Sequence, residues 1–67
     1  MSEFGEKVDR ILELTSEKEK LSINELEEKI TPLDKEILNF MNHEGLIVLK
    51  KGEVRITEFG LHLLNIK

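Results

Sequence analysis

The chain has 67 residues, 10 Lys and Arg against 14 Asp and Glu, and a formal charge of −4 at pH 7. That length implies one domain over residues 1–67, with no room for an enlarged catalytic cleft, and 39% hydrophobic beside 36% charged residues is the balance of a folded chain, not a disordered one. The absence of cysteine excludes disulfides, thiolate zinc sites and thiol chemistry, and it fits a reducing compartment.

Residues 3–20 read as an amphipathic helix. Phe4, Val8, Ile11, Leu12 and Thr15 fall on one face at the helical period, and Leu14 lies off that stripe. Glu3/Lys7 and Glu6/Arg10 are i,i+4 pairs with the acid first, on a solvated face. The run Ser16-Glu17-Lys18-Glu19-Lys20 has no apolar residue, so the helix is expected to fray into a linker there. A start signal follows. Ser22 can cap, Glu25 three residues on closes a capping box, and Leu21 and Leu26 are spaced for a hydrophobic staple. A short second helix over residues 23–30 turns Ile23, Leu26 and Ile30 inward.

Thr31 and Pro32 predict the start of a third helix, with Thr31 as cap, Pro32 in the first position and Asp34 in the first turn. It carries Leu33, Ile37, Leu38, Phe40 and Met41 and stops at Gly45, the residue type suited to a left-handed terminator. Beyond Gly45 the apolar period changes to two. Residues 46–50 and 53–57 read as strands around a Lys51-Gly52 turn. That register faces Leu49 with Val54 and Ile47 with Ile56 on one side of the ribbon. Val48 with Arg55 and Lys50 with Glu53 take the other. Thr57 is placed to cap a last helix in which Leu61, Leu64 and Leu63 return to the core. The fold class read from this order is α+β, mostly α: three helices, a two-stranded hairpin and a short C-terminal helix.

With those elements in place, the chain resembles the winged helix-turn-helix family of small archaeal and bacterial regulators. His43-Glu44-Gly45-Leu46-Ile47 is similar to the segment that ends the family's recognition helix and opens its wing. Val54-Arg55-Ile56-Thr57-Glu58-Phe59-Gly60-Leu61-His62-Leu63-Leu64 is similar to the run that leaves the wing. Ser22-Ile23-Asn24-Glu25-Leu26 resembles the start of the positioning helix. The resemblance implies a third helix, here residues 32–44, in the major groove of double-stranded DNA. It also implies a wing, residues 46–57, against phosphates. It implies a transcription-regulator-like protein, dimeric on DNA.

The residues themselves offer candidates for that work. Charge is uneven along the chain: net −4 over residues 1–31, −2 over 32–45 and +2 over 46–67. Lys50, Lys51 and Arg55, with Lys67 in the tail, suit phosphate contact, although Lys on a ribbon edge also serves simply to block strand-on-strand pairing. Lys35, Asn39 and Asn42 are the candidate readers on the third helix, Asn because it offers a bidentate pair to adenine; the same helix carries Asp34, Glu36 and Glu44. Leu33, Ile37 and Phe40 form a second apolar stripe there. Either it docks a second copy or a protein partner, or the first helix covers it and leaves Ile37 partly exposed. A protein-assembly module with little or no DNA binding is therefore the alternative function.

Other classes find no support. His43 and His62 are isolated from any metal-ligand spacing, no phosphate loop or nucleophile motif is present, and no enzyme, cofactor or small-molecule ligand is expected. The longest apolar run, residues 46–49, is too short for a membrane span. The acidic start Met1-Ser2-Glu3-Phe4-Gly5-Glu6 lacks the features of a signal peptide. A cytoplasmic location follows as the expectation.

Overall fold

The computed structural model describes residues 3–18 and 20–66; Met1 and Ser2 of the acidic start, Glu19 of the linker and Lys67 of the basic tail lie outside the described residues. Among the described residues, four helices and a three-stranded antiparallel sheet follow in the order α1 Glu3–Glu17, β1 Leu21–Ser22, α2 Ile23–Lys29, α3 Lys35–His43, β2 Ile47–Lys50, β3 Glu53–Ile56 and α4 Glu58–Ile66. The class is α+β, mostly helical.

Helix α1 packs against α3, α4 and β3. Its Ile11, Leu12 and Thr15 are fully buried, as their spacing predicts. Leu14 is buried too, which the single-stripe reading missed: a helix contacted on several sides buries a wider arc than one stripe. The buried Thr15 hydroxyl is satisfied within the helix, donating to the carbonyls of Ile11 at 2.8 Å and Leu12 at 3.1 Å.

The start of α2 is the predicted capping box. The Glu25 amide donates to Ser22 Oγ at 3.0 Å, and the Ser22 amide donates to Glu25 Oε1 at 3.2 Å. Leu21 and Leu26 are both buried in the core beneath it. Lys18 adds an ion pair to Glu25 at 3.2 Å. The hydrogen bond from the Ser22 backbone, followed by Lys18, holds the Glu25 carboxyl below its ordinary value.

The start of α3 corrects the sequence reading. The cap is Asp34, not Thr31: its backbone is extended and its carboxylate accepts the Glu36 amide at 2.9 Å. Aspartate outranks threonine at this position. The Thr31 hydroxyl instead donates to the Glu27 carbonyl at 3.0 Å, closing α2. Pro32 and Leu33 are left in the connection between the helices, so Leu33 does not belong to the α3 stripe. The far end is as predicted. Gly45 is left-handed at φ +81°. Its amide donates to Asn42 at 3.1 Å and the Leu46 amide to Met41 at 2.8 Å, the paired bonds of a Schellman stop.

The hairpin has the predicted register, Ile47 opposite Ile56, Val48 opposite Arg55, Leu49 opposite Val54 and Lys50 opposite Glu53. Lys51 and Gly52 both take positive φ, at 51° and 77°, as a two-residue turn of the primed kind needs. A third strand corrects the two-stranded expectation. Leu21 and Ser22 pair with Val54 and Glu53, giving the order β1-β3-β2, and the Ile23 amide donates to the Gly52 carbonyl at 2.9 Å. Two residues are too few to show a strand period, but they supply partners to backbone groups that β3 would otherwise leave open.

Thr57 joins the hairpin to α4. Its Oγ1 accepts the Gly60 amide at 2.9 Å, and its hydroxyl proton lies between the carbonyls of Gly45 at 2.6 Å and Leu46 at 3.0 Å. Gly60 is buried so tightly that a Cβ there would collide with the Leu46 carbonyl oxygen and press on Ile56. That contact sets the rotation of α4. Gly60 and Leu64, one turn apart, face the core, whereas Leu61 and Leu63, predicted to return to it, are exposed.

Candidate functional site

Two separate surfaces emerge from these elements. The first is polar and has two parts, the exposed side of α3 and the outer face of the hairpin. At about 100° per residue, Lys35, Asn39, Asn42 and His43 share one side of α3, and all four are exposed. Glu36, Phe40 and Glu44 are turned to the adjoining side. At that spacing Glu36 falls next to His43 and one turn from Asn39, so the amides and the lysine keep one carboxylate beside them, while Glu44 lies farther round.

On the hairpin, Ile47 and Val54 are buried and Leu49 and Ile56 half-buried, so the other face turns outward. Lys50, Lys51 and Arg55 are all exposed there. Glu53 is the only acid between Leu46 and Thr57, and Lys20 stands 3.6 Å from its carboxylate. The pair is half exposed and adds little stability, but it compensates the one carboxylate that the hairpin itself carries; Glu17 of α1 lines a hollow beside Arg55. The sequence placed Glu53 beside Lys50; it gave no sign that Lys20 is brought to the same edge by the short strand β1.

The second surface is apolar. Phe40 is 43% exposed and packs edge-on against Phe4 of α1, with ring centroids 5.1 Å apart at 72°. Phe4 is itself 43% exposed and Phe59 56%. They line a groove of about 400 Å³ together with Val8, Leu63, Asp9 and Glu44. The candidate stripe Leu33, Ile37 and Phe40 is divided: Ile37 is 4% exposed and belongs to the core, Leu33 is half-buried against it, and only Phe40 reaches the groove. This reverses the expectation that Phe40 would be covered and Ile37 left partly open. Ile37 lies one turn from Met41 and is buried with it, whereas Phe40 sits at the edge of α3 and meets Phe4 of α1 edge-on.

Among the described residues no cluster of His, Cys, Asp and Glu is arranged to hold a metal ion, and no helix is long and apolar enough to cross a membrane. His43 and His62 are each exposed on separate helices. Comparison with protein-family models, with curated proteins and with solved structures finds no match to this chain.

Proposed function

We propose that this chain is a winged helix-turn-helix module that binds duplex DNA, a transcription-regulator-like protein. Helix α3 would read the major groove through Lys35, Asn39 and Asn42, with the hairpin against phosphates through Lys50, Lys51 and Arg55. The observation that carries this reading is the set of exposed cations on the hairpin, Lys50, Lys51 and Arg55, with the hairpin's own single carboxylate, Glu53, ion-paired to Lys20, together with the exposed Lys35, Asn39 and Asn42 on one side of α3. The order of helices and hairpin supports the family assignment. Cations on such a surface supply sequence-independent affinity, and amides on a helix supply base discrimination.

The test is an amide-shift titration with generic duplex DNA at low and physiological salt. The expected shifts cover residues 50–55 and the Lys35–Asn39–Asn42 stripe, and they weaken steeply with salt. Absence of shifts on the hairpin at low salt would refute the reading. A second reading, a winged helix used for protein assembly, is favoured by the exposed aromatic groove between α1, α3 and α4.

A further inference from the structure

All three phenylalanines of this chain stand at that one groove, and all three keep about half their surface in solvent. A small domain that needs its apolar area for a core gains nothing by gathering its largest side chains outside it. Helix α4 lengthens the apolar wall. Phe59, Leu63 and Ile66 follow at i, i+4 and i+7, all exposed, over roughly 10 Å of helix axis. That is the spacing at which an amphipathic helix presents its own anchors to a groove.

The charge of the groove selects among occupants. Glu44 and Asp9 are among its lining residues, and among the described residues no Lys or Arg lines it. Glu44 is the C-cap of α3, where the helix dipole is already negative, so its carboxylate deepens the negative potential. A second copy related by a two-fold axis would bring the same acidic rim against itself. A partner with flanking cations meets complementary charge.

We propose that the groove docks a basic amphipathic helix of another protein. Its apolar anchors enter between Phe4, Phe40 and Phe59, and its Lys or Arg side chains meet Glu44. This deepens the assembly reading and does not depend on whether the hairpin binds DNA.

The test titrates the whole chain with two synthetic helical peptides, each with Leu at i, i+4 and i+7. One is flanked by Lys and the other by Glu. Binding is read from the aromatic resonances of Phe4, Phe40 and Phe59 and the methyls of Leu63. The Lys peptide is expected to shift these signals saturably, and the Glu peptide to bind at least about tenfold more weakly. Glu44→Lys, which suits a helix C-terminus and so spares the fold, should weaken the Lys peptide by a similar factor. Phe59→Ser, at an exposed position, should weaken both peptides. Equal binding of the two peptides, or tighter binding of the Glu peptide, would overturn the basic partner while leaving the groove an assembly surface. No groove shift with either would overturn the assembly reading as well. A concentration-dependent dimer with these rings protected would identify a second copy instead and overturn the proposal.

Discussion

Gly60 shows how one missing side chain can position a helix. Its α-carbon lies against the Leu46 carbonyl, a backbone atom that cannot swing aside as a flexible side chain would. Gly60→Ala should therefore cost about 1–3 kcal/mol, the range for overpacking. At roughly 4–8 °C per kcal/mol for a chain this small, calorimetry should record a clear fall in Tm; an unchanged Tm would mean that α4 can shift freely. Ser22 is the second residue with a sharp consequence. Ser22→Ala removes the side-chain acceptor of the capping box and should cost about 0.5–2 kcal/mol. The same box makes a pH prediction. Glu25 titrates below its ordinary value because the Ser22 amide, then Lys18, then the Ser22 side chain favour its carboxylate, and Ser22→Ala removes the last of these. A depressed folded-state pKa means the contribution is fully present above the unfolded value and is lost as pH falls through the folded one. The carboxyl carbon of Glu25 should then titrate below the ordinary glutamate value of about 4.3, and Ser22→Ala should raise its midpoint. A midpoint at or above the ordinary value would contradict the box.

At the scale of elements, what the sequence revealed depended on how local the determinant is. The hairpin register was legible because alternation, the Lys51-Gly52 turn and the stop at Gly45 all act within a few residues. The first turn of α3 was not, because Thr31 and Asp34 are both competent caps and only their competition, with Thr31 drawn back to Glu27, decides the start. Strand β1 was invisible because it exists only when Val54 and Glu53 come beside it. The candidate DNA surface was half legible for the same reason. The cations of the hairpin are written in order, but the compensation of Glu53 by Lys20 needs the third strand. Lys50→Glu with Lys51→Glu tests this face as a unit. The double variant should weaken binding to all duplexes alike and make the salt dependence shallower by about 1–2 units, one for each lost phosphate contact. Loss confined to one DNA sequence would assign base readout to the hairpin tip. Unchanged affinity would remove it from DNA binding.

The whole molecule divides its apolar residues between a core and a groove, and this division was the least legible feature. A stripe drawn at helical spacing joined Leu33, Ile37 and Phe40, yet three elements meeting in space separate them. Met41 and Leu38 draw Ile37 inward, while Phe40 turns toward α1 and meets Phe4. The gathering of Phe4, Phe40 and Phe59 likewise depends on α1, α3 and α4 converging from distant parts of the chain. Energies follow from placement. Ile37→Ala deletes a buried side chain and should cost about 2–5 kcal/mol, comparable with the roughly 3–5 kcal/mol that a core of this size supplies. The variant should lose most of the domain's stability and unfold at a markedly lower temperature and denaturant concentration. Phe40→Ser gives up only part of the burial worth about 1.5–3 kcal/mol for a whole side chain, together with an edge-on ring contact of about 0.5–1.5 kcal/mol. A loss near 1–2 kcal/mol should leave it folded, with a lowered Tm and a freed Phe4 ring. Denaturant titration of the two variants checks the ranking. If Phe40→Ser proved the more damaging, its ring would belong to the core, and the groove would be a closed part of the fold with no room for a partner.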